Sequence, residues 1–535
     1  MRNRFVFLLF LLVTLICVSQ EEDYIFGQLV DGSKNEPVVF ASIRLKGAAL
    51  GVISNIDGTF RIPMYYKSIG EVLEISCIGY GTKLVAVNDL KDTEANIIIL
   101  QPSAFELNEA VVSANIKKLS AKQIIKIAVN SISQNYPLKE FGLIGYYRDY
   151  QVKNGNYANL GEAIIGVEDT GFKEKNILNN KYLLYSYNIN QDFEIDEFAR
   201  QPYDYEGYNK VVPNAKLKNE GGNEFITLRM HDAIRNYGLE SFSFVDDIST
   251  DFIENHKFSL KGKTNFNKES VYEIDMVFRD DTFSANGTIY VNTKDFAIHK
   301  LEYAVYKRKK PKDISKAIND KERFSNGFIK LNREMLYHIQ TEYARGANKK
   351  MFLNYISFYN KVLVQRPAPF KSRFSIYLED KSFRIRVNKK PGNLEKIKNR
   401  DFMITYRNDF VPIREFWFQE DELAFVVCPH LKYKKAEDIF DVLFTEKEDL
   451  EVADVKYTYG NIKDSLGNKL DERKWEYLHQ YREFFVQEII LDNNVKNSNR
   501  LMRKDLSLDS DLQLKHSVDI KKEYWKNTPL PTIKK

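Results

Sequence analysis

The 535-residue chain is 43% hydrophobic and 29% charged, which supplies several cores and excludes a disordered polymer. Its 79 basic and 74 acidic residues leave +5, or +3 once Arg2 and Arg4 are removed, which is not the charge footprint of a nucleic-acid binder. Three cysteines in such a chain exclude a disulfide-stapled scaffold, and 36 Phe with 32 Tyr favour β-structure.

Residues 1–19 read as a secretory signal peptide: Arg2 and Arg4 form the basic start, Phe5–Val18 the apolar run, and Ser19 a small residue before the cut. The run is too short for a spanning helix, which takes about 20 residues. Cys17 poses the question of lipid attachment, but Ile16 stands where that motif wants Gly or Ala. An exported protein is expected.

Residues 22–114 form the first domain. Short β-rich runs (Ile25–Val30, Val38–Leu45, Gly51–Ser54, Thr59–Ile62, Val72–Cys77) alternate with turn clusters, as in a small sandwich. Asn55-Ile56-Asp57-Gly58 is a turn, with Phe60 and Ile62 alternating into a core behind it. The stretch from Gly27 to Gly81 resembles the carboxypeptidase regulatory-like domain, a transthyretin-like β-sandwich of envelope proteins. On that resemblance Gly27, Asp57, Gly58, Phe60, Gly79 and Tyr80 match the family pattern and are structural. No catalytic role transfers to them, since in the resembling proteins the domain is an accessory. The run Phe105–Val112 closes the domain and is similar to one that leads into a plug and barrel in outer-membrane receptors.

A linking helix is expected over residues 115–138. Ser120 and Gln123 make a capping-box pair, Ala121, Ile124, Ile125, Ala128 and Ile132 recur at helical spacing, and Pro137 ends it. A large antiparallel β domain is expected over 139–470. Phe141–Val152 and Tyr157–Gly166 flank Asn154-Gly155, the strongest short hairpin signal. An aromatic stretch with Tyr182, Tyr185, Tyr187, Tyr203, Tyr205 and Tyr208 follows without a clear period and reads as loops and a partly buried insertion. Val271–Phe278, Asn286–Asn292 and Phe296–Tyr306 form a meander with turns at Asp280-Asp281 and Lys294-Asp295; Met335–Tyr343, Met351–Tyr359 and Phe374–Val387 continue it. The rhythm of Val271–Tyr306 resembles the hairpins of LolA-like lipoprotein-carrier half-barrels, which implies a sheet face able to hold an acyl chain. Asp401–Pro412, Glu415–Phe418 and Leu423–Val427 read as further strands. Residues 471–535 are expected to be a C-terminal helix, with Trp475, Leu478, Phe485 and Ile489 on one face, and then a polar tail.

Chemistry is sparse. His299 and Glu302 have the letters of a zinc-binding pair, with His338 and His430 downstream, but residues three apart on a strand point to opposite faces. No nucleophile elbow and no phosphate-cradling Gly-rich loop occurs. Asp246-Asp247, Asp280-Asp281 and Glu420-Asp421-Glu422 read as solvated turns rather than calcium ligands, and the sequon Asn286-Gly287-Thr288 as a hairpin turn. The basic run Lys307, Arg308, Lys309, Lys310 and Lys312 is a loop that could touch an anionic membrane surface.

The fold class expected is therefore mainly β: an N-terminal transthyretin-like sandwich, a linking helix, and a large antiparallel β domain with a few covering helices. The function expected is that of a non-enzymatic binding or scaffold protein of the envelope, without catalytic residues, metal or cofactor. Its partner would be another envelope protein or an apolar or lipid-linked ligand, with peripheral membrane association an option. The alternatives are a component of an outer-membrane receptor or transport system, and a hydrolase whose site is assembled from distant residues.

Overall fold

A computed structural model describes residues 24–103, 119–174, 176–203, 209–212, 222–236, 252–266, 269–308, 334–432, 439–440, 455–491, 501–513 and 524–530. The expected signal peptide, Cys17, Phe105–Val112, Asp246-Asp247, Tyr205, Tyr208, Lys309, Lys310 and Lys312 lie outside these residues. The chain forms two compact units, the second built chiefly from Leu363–Glu476.

In the first unit, seven short strands make the N-terminal sandwich: β1 (Tyr24–Asp31), β2 (Ser42–Leu45), β3 (Gly51–Ile53), β4 (Thr59–Pro63), β5 (Val72–Ser76), β6 (Lys83–Ala86) and β7 (Asn96–Leu100). One sheet runs β4-β1-β7, with β1 and β7 parallel, and the other runs β3-β2-β5-β6. Alternate residues such as Ile25, Leu29, Ile43, Phe60, Ile62, Leu73 and Ile75 meet between them. The six residues of the family pattern sit at the turns and in this core. Gly27 faces Phe60 across β1 and β4, and a Cβ there would lie 2.3 Å from the Phe60 ring. Gly58 holds φ +74°, Asp57 Oδ1 accepts from the Thr59 amide at 3.1 Å, and Gly79 holds φ +84°. Tyr80 donates its hydroxyl to Asp31 at 2.6 Å.

The large sheet is assembled from β8 (Phe141–Lys153), β9 (Asn156–Asp169), β10 (Lys181–Ile189), β11 (Lys210–Val211), β12 (Lys257–Phe266), β13 (Glu269–Arg279), β14 (Phe283–Asn292), β15 (Ile298–Lys307), β16 (Glu334–Arg345), β17 (Met351–Arg366) and β25 (Lys474–Ile490). Its order is β10-β9-β8-β25-β17-β16-β15-β14-β13-β12, with β11 beside β17. The β8–β9 hairpin turns on Asn154 and Gly155 at φ 53° and 82°, the two positive values that a two-residue type I′ turn needs. One face of the sheet is covered by its own chain. The helix Ala121–Asn130, closed at its start by the reciprocal Ser120–Gln123 capping box, lays Ala121, Ile124, Ile125 and Ala128 on it. Phe225, Ile226 and Leu228 of the helix Glu224–Met230 join them, as do Phe252, Met502 and Leu508. The opposite face carries Tyr355 and Phe485, which pack with Ile53 of the sandwich. No helix among the described residues is long and apolar enough to cross a membrane.

The second unit holds β18 (Ser372–Tyr377), β19 (Ser382–Val387), β20 (Phe402–Tyr406), β21 (Asp409–Phe410), β22 (Ile413–Gln419), β23 (Ala424–Pro429) and β24 (Val455–Tyr459). They form the sheets β18-β19-β23-β22 and β21-β20-β24 around Phe383, Ile385, Phe402, Ile404, Phe425 and Val427.

Five expectations are corrected. The helix expected at residues 471–491 is strand β25, in the middle of the sheet. Its apolar residues satisfy a helical period by coincidence: Phe484 and Val486 enter the helix-covered core while Phe485 enters the opposite one, so both sides are buried. The polar tail contains a core residue, since Trp525 is 0% exposed inside the sandwich, edge-on to Tyr66 at 5.1 Å. The span 139–470, expected as one domain, is divided between the two units. Within it, Phe374–Val387 is the β18–β19 hairpin rather than one strand. The sequon Asn286-Gly287-Thr288 lies inside β14, where a Cβ on Gly287 would come within 2.1 Å of the Glu302 carbonyl. That is close interstrand approach and not turn geometry.

Candidate functional site

Where β8 and β25 run side by side, their shared face changes character along its length. Tyr147 pairs with Phe484 in the apolar core; the next pair on that face is Asp149 with Arg482, and the next Gln151 with Gln480. Alternation therefore carries a stripe of polar side chains out from the end of the core. Around it lies a cavity of about 250 Å³, also lined by Asn159 of β9, Tyr187 of β10, Lys210 of β11, Glu224 at the start of its helix, and Ser507 and Asp509 of the C-terminal segment. Gly161 of β9 makes room for it, since a Cβ there would lie 2.6 Å from the Tyr187 hydroxyl and 2.7 Å from Asp149 Oδ1.

The back of the cavity is a chain of amides. Asn159 donates to Gln151 Oε1 at 2.6 Å, and Gln151 donates to Gln480 Oε1 at 2.7 Å. That oxygen also accepts from Lys210 Nζ at 3.2 Å, and the ammonium donates to the Ala199 carbonyl at 2.6 Å. Lys210 is thus fixed by two neutral oxygens while being 3% exposed. Arg482, also 3% exposed, donates one guanidinium N–H to the Tyr203 hydroxyl at 2.7 Å, and its buried Nε meets no acceptor among the described residues. The Tyr203 ring lies under both cations, 5.2 Å from Lys210 Nζ and 4.8 Å from the Arg482 guanidinium carbon.

No ion pair joins either cation to a carboxylate among the described residues. Among the described residues the two nearest acids are equally without a cation in contact. Asp149 accepts only a long bond, 3.4 Å, from the Tyr147 hydroxyl. Glu224 accepts from the Ser507 hydroxyl at 2.8 Å and the Leu508 amide at 3.2 Å. Burial, and next the charge of Glu224, pushes the Asp149 carboxyl up to about 7. Burial, and next Arg482, pulls the Lys210 ammonium down to about 7. Groups of opposite sign perturbed by burial in one cleft make that cleft a candidate functional site.

Residues 25–112 match the model of the CarboxypepD_reg-like domain. This is the sandwich, and the match agrees with the resemblance read from Gly27 to Gly81. No curated protein matches the chain. Among solved structures, the chain is similar to an outer-membrane lipoprotein-sorting protein domain from Vibrio parahaemolyticus, at 10% identity over 44% of this chain and 84% of that one, TM-score 0.18. It is also similar to a DUF1329 family protein from Desulfovibrio piger, at 8% identity over 45% and 86%, TM-score 0.21. A third is MucB in complex with MucA, at 7% identity over 57% and 91%, TM-score 0.15. At these scores the likenesses support neither a shared architecture nor a shared function.

Other residues singled out in the sequence lie elsewhere. His299 and Glu302 are both on β15 but have separate partners: His299 faces Glu269 at 3.3 Å and Glu302 faces His338 at 3.2 Å. Glu269 is drawn down to about 2, by its bond to His299 first and by Arg345 at 2.7 Å as well. His299 and Glu269 line a second cavity of about 670 Å³, between the CarboxypepD_reg-like domain and the large sheet. Asp280 serves its turn, accepting from the Thr282 and Phe283 amides at 2.6 Å each. Of the basic run, Lys307 ends β15, and Arg308 bonds through its backbone to the Thr282 carbonyl at 2.8 Å. Tyr187 and Tyr203 stand out in the sequence only within its aromatic stretch, and the charged and amide residues of the polar cavity were missed because they come from distant stretches of the chain. The signal available was polar letters at inward strand positions, and on β25 it was hidden by the helical reading.

Proposed function

We propose that the protein is an exported, non-enzymatic binding protein of the cell envelope that takes a small, hydrophilic, ionic ligand into the cavity between β8, β25 and Lys210. One observation carries this reading: Lys210 and Arg482 are buried side by side, and among the described residues no carboxylate is in ion-pair contact with either. A buried cation either gives up its charge, the direction in which burial drives Lys210, or is compensated by a counter-ion, as the guanidinium of Arg482 requires and as an ionic ligand would supply. The envelope setting rests on the signal-like residues 1–19 and on the CarboxypepD_reg-like domain. Ser507 bonds to carboxylates and not to an imidazole, so its hydroxyl is not activated as a nucleophile. An apolar or lipid-linked cargo is less well supported, because the helix-covered face is already filled by Ile124, Ile125, Phe225, Phe252 and Met502. The test is thermal stabilisation of the full chain by a panel of amino acids, dipeptides, dicarboxylates, sugar phosphates and acyl lipids. Hydrophilic ionic compounds are expected to raise Tm, and to lose that effect in Lys210→Met. Stabilisation by acyl lipids alone, or equal effects in the variant, would overturn the reading.

A further inference from the structure

Four charges line the same small cavity without pairing across it: the cations Lys210 and Arg482, and the carboxylates Asp149 and Glu224. Asp149 and Arg482 are cross-strand neighbours, yet no ion pair joins them. The other charged groups at the mouth are already matched, Asp509 with Arg200 at 3.1 Å and Asp505 with Arg503 at 2.7 Å. Among the described residues, what is left over is balanced, two of each sign. A ligand carrying only a negative charge would satisfy the cations and leave two acids uncompensated; a simple cation would do the reverse. At about 250 Å³ the space is also below the roughly 300–1,000 Å³ that drug-sized ligands occupy.

We infer that the ligand is an amphion, a free amino acid or dipeptide, with its carboxylate on Lys210 and Arg482 and its ammonium facing Asp149 and Glu224. This deepens the ionic-ligand reading and rests on it. The amide chain from Asn159 to Gln480 holds the Lys210 ammonium in place before the ligand arrives, so little ordering is left to the binding step. Tyr203 lies beneath both cations, and its hydroxyl accepts from Arg482 while donating to Asn360 Oδ1 at 2.8 Å, which fixes the ring under the two charges before a ligand arrives.

Titration calorimetry on the full chain with three probes tests this: L-alanyl-L-alanine, its N-acetyl derivative, and its C-terminal amide. The free dipeptide is expected to bind, and each capped form to bind at least about tenfold more weakly, since each leaves one buried pair without its counter-ion. Equal binding of the N-acetyl derivative and the free dipeptide would overturn the amphion while leaving an anionic ligand in place. Absence of binding by all three, and by inorganic phosphate and succinate in the same cell, would overturn both readings.

Discussion

Asp149 shows what the candidate site costs the fold. In the unfolded chain its carboxyl ionises near 3.8, and in the folded chain near 7. The stabilisation from holding it protonated is therefore complete below 3.8 and lost as pH rises through 7. Asn has the shape of the protonated acid and never ionises. Asp149→Asn is thus expected to leave stability unchanged at pH 4 and to raise it by about 1–3 kcal/mol at pH 8. Urea denaturation at the two pH values measures this; an equal effect at both would show that Asp149 is not held in a charge-averse site. Gain of stability with loss of binding is the usual exchange at a site kept charged for a ligand.

At the scale of elements, the C-terminal segment Tyr524–Leu530 holds the sandwich to the sheet. Trp525 fills the sandwich core, and its backbone is gripped from β25, Gln487 donating to its carbonyl at 2.7 Å and accepting from its amide at 3.2 Å. Asn527 donates to the Ile53 carbonyl at 2.7 Å, and its own carbonyl accepts from Arg148 of β8 at 2.7 Å. Trp525→Ala is expected to destabilise the first unit by about 3–5 kcal/mol, the range for emptying a large aromatic site, read by chemical denaturation. A loss below about 1 kcal/mol would mean that the segment lies on the surface and is not part of the core. The linking helix and the β8–β9 hairpin were legible in the sequence because capping and turn chemistry act within a few residues. Strand β25 was not, because the choice between strand and helix depended on two separate cores meeting its two sides.

At the scale of the whole molecule, Leu363–Glu476 has a core of its own, and its ends are close, with Arg366 and Glu476 in an ion pair at 2.6 Å. Residues 363–476 produced alone are expected to unfold in one cooperative thermal transition, followed by circular dichroism. A gradual, non-cooperative melt would show that this unit depends on the rest of the chain.

The sequence by itself determined the β character of the chain, the CarboxypepD_reg-like sandwich and its turns, and the helix after it, since propensity, alternation and caps are local properties of neighbouring letters. Only the tertiary structure decided that the last third contributes a central strand and a buried Trp525 to the first unit. It alone placed Asp149, Lys210, Glu224 and Arg482 around one cavity. Each is an ordinary charged residue in its own segment, and what makes them a site is the burial and mutual approach that the sheet imposes.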